Sequence, residues 1–281
     1  MKKINNITVG FDFSVAARNA YRYALALAQT LGATLTLVHV KEHDMIVSDV
    51  MVPSFPPEDD NQLIKDMQQM VTDESAGPGK PVEVKIRILK GNAVSVLTEL
   101  PENTGTDLIV LGTTGISNIL TRIFGATALK VSNQAHCPVI LVPMYTKWRP
   151  VEQILFASNY DSMTALFVHK ITDFALNLKA GVHFVNVSNY DPILEPKQKD
   201  IVWSDLLSTP ASGKEYKKTT IYGNDTVAEL NKYSAEHNIN LLAFASRHRH
   251  FWSDLTHKSI SAGVSLSTIT PIMVMHLDDE G

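Results

Sequence analysis

Leu108-Ile-Val-Leu111, then Gly112-Thr-Thr-Gly115, then nine residues, then Gly125-Ala-Thr127 is the stretch whose reading decides the fold. Four apolar residues closed by a glycine read as a strand buried on both faces, as in a parallel sheet. A following loop with positions that lack side chains lets backbone N–H groups approach an anion closely. A helix opening at Gly125 adds unpaired N–H donors and a positive dipole end. Strand, glycine loop and helix together predict a phosphate cradle of an α/β protein. Its counterpart lies at the amino end, where Ile7-Thr-Val-Gly-Phe11 runs into Asp12-Phe13-Ser14. A carboxylate at the carboxyl end of a strand can accept hydrogen bonds from sugar hydroxyls. Asp12 and Ser14 also precede a helical pattern, so each has a second use as an N-cap worth about 1 kcal/mol. Capping is the expected use of Ser14.

Working outward, the chain is written twice. Leu108-Ile-Val-Leu111 matches Leu241-Leu-Ala-Phe244, and Pro138-Val-Ile-Leu-Val142 matches Pro271-Ile-Met-Val-Met275 at the same spacing. Ile7-Thr-Val-Gly-Phe-Asp12 matches Ile154-Leu-Phe-Ala-Ser-Asn159, and Ala33–Val40 matches Ala180–Val187. Self-similarity in one order marks internal duplication, with the boundary in the Pro-flanked, Trp148-containing stretch from Pro143 to Pro150. The domains are expected at 1–144 and 151–281. In each half, short Val-, Ile- and Leu-rich runs alternate with segments of helical period, predicting a parallel sheet covered by helices. Strands are expected near 6–11, 34–40, 82–89, 108–111 and 139–142, and helices near 15–31, 58–74, 92–101 and 126–135. The second half should place strands near 153–157, 182–187, 216–222, 241–245 and 272–276. In the first helix Ala17, Ala20, Tyr21, Ala24, Leu25, Ala28 and Leu31 form one apolar stripe, and Gly32 supplies a left-handed stop. Prolines after the second strand of each half (Pro53, Pro56, Pro57; Pro192, Pro196, Pro210) mark excursions of irregular periodicity. Met45, Met51, Met67 and Met70 belong to the first excursion, with core packing their expected use.

Composition narrows the function. The formal net charge is −4 over 281 residues, with no basic stripe, which disfavours nucleic acid as the main partner. The lone Cys137 excludes an intrachain disulfide framework and suits a reducing compartment. No run approaches the roughly 18 apolar residues of a membrane span. A cytoplasmic protein without membrane contact is expected.

Asp12-x-Ser14, Gly112-x2-Gly115-x9-Gly125 and Cys137-Pro138-Val139 on a duplicated five-strand unit resemble the universal stress protein family in its tandem, two-domain form. The resemblance covers nearly the whole chain. It implies an α/β fold of two tandem open parallel five-stranded sheets with helices on both faces, of the adenine nucleotide alpha hydrolase-like, Rossmann-like kind. It also implies an adenine nucleotide, ATP or AMP, at the carboxyl ends of the strands, with Mg or Mn on the phosphates. Intramolecular pairing of the two domains through their last strands would imitate a dimer, and a homodimer is neither required nor forbidden. By the same resemblance Asp12 faces the ribose, the backbone around Val40 meets the adenine, and Gly112, Gly115 and Gly125 line the phosphates. Gly10, Phe11, Leu111, Ala126 and Thr127 complete the expected nucleotide-binding set. The family usually carries a hydroxyl residue directly after the third glycine and another two positions later, where this chain has Ala126 and Ala128. Each lost hydrogen bond to a charged group is worth roughly 1.5–3 kcal/mol.

The second half departs further. Ala245, His248 and Lys258 stand at the glycine positions and Asn159 at that of Asp12, so no nucleotide is expected there by the usual mode. Arg247, His248, Arg249 and Lys258 could gather into an anion site, against a solvated basic loop as the ordinary explanation. His248, His250 and His257 lack the Cys or close carboxylate that would complete a zinc geometry. Catalytic signatures are missing: no Gly-x4-Gly-Lys-Ser/Thr loop, no Gly-x-Ser-x-Gly elbow, no His-Glu-x-x-His. A binding protein is expected. The competing expectation is a ligand-free interaction scaffold whose alanines have cost it nucleotide affinity.

Overall fold

The computed structural model describes residues 3–41, 45–47, 50–52, 59–75, 79–113, 125–157, 165–189, 215–246 and 269–276. Before the Pro-flanked link the strands are β1 (Asn6–Gly10), β2 (Thr34–Lys41), β3 (Met45–Val47), β4 (Val50–Val52), β5 (Val84–Lys90), β6 (Leu108–Thr113) and β7 (Val139–Pro143). After it come β8 (Gln153–Ala157), β9 (Gly181–Ser188), β10 (Tyr216–Tyr222), β11 (Leu241–Ser246) and β12 (Ile272–His276). The helices are α1 (Val15–Leu31), α2 (Asp60–Ser75), α3 (Ala93–Thr104), α4 (Ala126–Gln134), α5 (Ala165–Leu178) and α6 (Thr226–Glu236).

Ten strands form one sheet in the order β10-β9-β8-β11-β12-β7-β6-β1-β2-β5. Neighbours are parallel except β12 against β7, which run antiparallel with Ile272 opposite Leu141. The sheet is thus two parallel five-stranded units set edge to edge. Strand alternation divides the apolar side chains between two faces. Ile7, Val9, Leu108 and Val110 pack under α1 and α2, while Ile109, Leu111, Val139 and Leu141 pack under α3 and α4. Both cores run on into the second unit, beneath α5 on one face and α6 on the other.

Local chemistry explains the element ends. Ser14 accepts from Ala17 N–H at 3.1 Å as the N-cap of α1, and Gly32 ends it at φ +67°. The whole expected α1 stripe is buried, together with Ala16, Tyr23 and Leu27. The stripe is wider than a single sheet contact needs because Tyr23 also meets the link edge-on, its ring 4.9 Å from that of Trp148. Helix α3 runs past Pro101 to Thr104, three residues beyond the expected stop. Leu97 and Leu100 are buried beneath it, and Gly105 at φ +66° supplies the end. The excursion after β2 holds an antiparallel β3–β4 hairpin that periodicity did not indicate, then α2, whose Met67 and Met70 are core residues.

The two units repeat the same ties with different residues. Asp107 Oδ2 accepts the N–H groups of Asn5 and Asn6 at 2.9 and 3.1 Å, and Asn240 Oδ1 accepts those of Glu152 and Gln153 at 3.0 and 3.1 Å. Pro138 C=O accepts from Ile109 N–H and Pro271 C=O from Leu242 N–H, both at 3.0 Å. An acceptor is what the site needs, so Asp107→Asn should leave the unfolding midpoint near wild type. Asp107→Ala, which orphans both N–H groups, should cost about 1–3 kcal/mol in urea denaturation.

In the second unit His183 is buried on β9, bonded through Nδ1 to Tyr233 Oη at 2.9 Å, and Tyr233 stacks on His237 with centroids 3.8 Å apart. Burial first, then Lys217 and His237, lower the His183 pKa from its ordinary 6.5 to about 4. Below 6.5 the unfolded chain binds a proton that the folded chain refuses until about 4. This contribution to stability is therefore complete above 6.5 and is lost as the pH falls toward 4. Urea titrations across that window should show the decline in wild type and a flatter profile in His183→Gln.

Candidate functional site

A cleft of about 270 Å³ opens at the carboxyl edge of the first unit. The end of β1 contributes Gly10, Phe11 and Asp12, β2 contributes Val38, His39 and Val40, and β6 contributes Leu111 and Gly112. Ser14 and Ala17 of the α1 start, Ala93 and Leu97 of α3, and Thr127 and Ala128 of α4 close it. Of the residues expected from sequence, Gly10, Phe11, Asp12, Val40, Leu111, Gly112 and Thr127 are brought together here. Gly125 and Ala126 stand beside the cleft as N-cap and first residue of α4 rather than in its lining. Gly115 lies outside the described residues, as do Asn159, Arg247, His248, Arg249, His250, His257 and Lys258.

Each described glycine has its own physical reason. A Cβ on Gly10 would stand 2.6 Å from Leu111 Cδ2, a side-chain contact within the core. A Cβ on Gly112 would strike the backbone of α1, overlapping Ala16 C=O and coming within 2.7 Å of Ala17 N. That glycine lets the end of β6 lie directly against the first turn of α1. Gly125 meets nothing, yet its φ of +73° is a backbone state that L side chains rarely adopt. Gly125 supplies no side-chain cap hydrogen bond to the start of α4.

The turn after β1 is held tightly. Asp12 Oδ1 accepts from Ser14 N–H at 3.0 Å, fixing the carboxylate over the cleft mouth. Among the described residues Oδ2 has no hydrogen-bond partner. Phe13 takes φ +63° and is partly exposed, its ring edge-on to those of Phe11 and His39, each 5.0 Å away. His39 Nδ1 donates to Phe11 C=O at 2.8 Å, bracing the turn from β2. Sequence reading missed His39 because alternation on β2 marks it only as a polar-face residue; its place at the strand's carboxyl end was the available signal.

Among the described residues the lining carries one carboxylate, one imidazole, two hydroxyls, and no lysine or arginine. An anion here would be met by main-chain N–H groups and Thr127. Among the described residues no group of three or more His, Cys, Asp or Glu side chains could hold a metal ion, and no helix is long and apolar enough to cross a membrane.

Comparison with known proteins agrees with this architecture. The sequence model described as the universal stress protein family matches residues 3–143. A universal stress protein of Thermus aquaticus is 30% identical over 136 residues, 48% of this chain and 96% of that protein. One of Methanocaldococcus jannaschii is 28% identical over 147 residues, 50% of this chain and 81% of that protein. Among solved structures, a universal stress protein of Archaeoglobus fulgidus superposes with a TM-score of 0.69 over 99% of this chain and 98% of that one. At 15% identity this is a likeness of fold.

The Gly112 contact yields a direct test. Gly112→Ala must push α1 away from β6, and overpacking against backbone should cost about 3 kcal/mol, read as a lowered urea midpoint. Gly125→Ala, with open space around it, should cost only the backbone penalty of its φ +73°, ψ 142° state, about 1–3 kcal/mol.

Proposed function

Because the chain belongs to the universal stress protein family, we propose that its first domain, residues 1–144, binds an adenine nucleotide, ATP or AMP, in the β1–β2–β6 cleft. The second domain, residues 151–281, serves as a fixed mate in place of a second subunit. One observation carries the reading. The chain leaves β1 for β2 on one side and returns to β6 on the other, so the cleft sits at the switch point of an open parallel sheet, where such folds take ligands.

The residues fit a nucleotide in order along the cleft. Val40 and the neighbouring backbone of β2 would take the base, Asp12 Oδ2 the ribose hydroxyls, and Thr127 with the N–H groups of the α4 start the phosphates. Mg or Mn would be held chiefly by phosphate oxygens, since Asp12 is the sole carboxylate among the described residues of the lining. The antiparallel β7–β12 register supports the mate role, for it covers the two strand edges that a dimer would otherwise pair. A cytoplasmic binding protein that signals nucleotide occupancy, rather than an enzyme, suits a lining whose described residues include no lysine or arginine and no evident activator of water.

A ligand-free scaffold is the second reading, and a specific observation favours it. The bare position at Gly112 is taken up by the α1 backbone rather than left for phosphate, and Ala126 and Ala128 offer no hydroxyl. Denaturing the purified protein and chromatographing the supernatant separates the two. Stoichiometric adenine nucleotide, or saturable uptake of ATP or AMP in equilibrium dialysis, is expected. A blank in both assays overturns binding and leaves the scaffold. Asp12→Asn keeps the acceptor for Ser14 N–H but loses the charge, and should weaken uptake about tenfold or more.

A further inference from the structure

Each end of the β7–β12 seam carries a cleft, and the two are related by the internal repeat. One, of about 280 Å³, lies where Cys137-Pro138 enters β7; the other, of about 410 Å³, lies where Thr270-Pro271 enters β12. Asp107 lines the first and Asn240 the second, the same position in the repeat. The first mixes signs, Lys3, His136 and Lys170 against Asp107 and Asp173. The second is walled partly by the link and holds Lys147 and Arg149, with no Asp or Glu among the described residues that line it.

We propose that this link crevice is a second ligand site, for a small organic phosphate. Three independent features converge on it. Asn240 performs the structural work of Asp107, accepting two N–H groups at matching distances, while leaving out the negative charge. That exchange preserves the fold and spares the crevice a carboxylate that would repel an anion. Lys147 and Arg149 are both exposed, and among the described residues neither forms an ion pair. A guanidinium fork beside an ammonium point charge is the usual pairing for phosphate oxygens.

The remaining walls suit a hydroxylated body. Asn231, Asn238, Ser234 and Thr270 offer amide and hydroxyl groups. Tyr145 and Ile269 are 60% and 63% exposed, two of the largest apolar exposures among the described residues, and both face this crevice. Tyr23, also in the wall, is buried with a hydroxyl that has no hydrogen-bond partner among the described residues. Burial pushes that hydroxyl's pKa up, so it stays protonated, a donor. An unpaired buried hydroxyl is costly unless an acceptor arrives.

Calorimetric titration of the full chain with ribose 5-phosphate, and with inorganic phosphate in parallel, tests the assignment. Saturable uptake of ribose 5-phosphate, tighter than that of inorganic phosphate, is expected. The double substitution Lys147→Ala/Arg149→Ala should weaken it at least about tenfold. Asn240→Asp, which retains the acceptor, should weaken it about fivefold with an unchanged unfolding midpoint. The proposal falls if ribose 5-phosphate shows no saturable uptake or binds no tighter than inorganic phosphate. It falls equally if uptake survives the double substitution.

Discussion

The approach of α1 to the end of β6 at Gly112 is the constraint on which the first cleft depends. With no Cβ there, the Ala16 and Ala17 backbone lies against the strand, and the turn from β1 into α1 has little room. The chain meets that restriction at Asp12-Phe13-Ser14. Asp12 and Ser14 use their side chains to satisfy N–H groups at 3.0 and 3.1 Å, and Phe13 accepts a left-handed backbone. A non-glycine residue in that state costs about 1–2 kcal/mol. Its ring contacts with Phe11 and His39, and the bond from His39 to Phe11 C=O, hold the turn in place. A carboxylate poised at the mouth is thus a consequence of packing several residues away.

The strands and their partners were legible in the chain because parallel β-structure buried on both faces leaves continuous apolar runs, as at Leu108–Leu111 and Val139–Val142. Helix α1 was legible to the residue, its Ser14 cap and Gly32 stop both being local chemistry. Less legible were features decided by tertiary contact. The expected helix ended near 101, yet with Leu97 and Leu100 buried α3 runs through Pro101 to its stop at Gly105. The β3–β4 hairpin pairs only three residues on each strand, too few for alternation to stand out from its surroundings. The glycines show the sharpest limit. Sequence marks Gly112 and Gly125 alike as positions without a side chain, but one is bare for packing and the other for a positive φ.

Duplication within one chain separates what the fold requires from what it tolerates. The repeat keeps the paired N–H acceptor at positions 107 and 240, the proline carbonyl at 138 and 271, and the register of the inner strands. It does not keep charge at the first of these, nor glycine at the position of 112, where Ala245 carries the methyl that Gly112 cannot. A methyl there would meet the first turn of a helix set as close to the strand as α1 is to β6. The turn chemistry that depends on that approach has no reason to be retained either, which accords with Asn at 159 in place of Asp12.

Under the two proposals, the clefts would hold anions by different physics. Around Thr127 the donors would be main-chain N–H groups, fixed in direction by the helix and by Gly125 at φ +73°, and short-range hydrogen bonding is little altered by added salt. At the link crevice the attraction comes from Lys147 and Arg149, both solvent-exposed, and is screened over a Debye length of about 10 Å at 0.1 M salt. Rising ionic strength should therefore loosen a ligand at the crevice well before it loosens one at the carboxyl edge. That difference follows from where each site finds its positive charge, in backbone dipoles for one and in mobile side chains for the other.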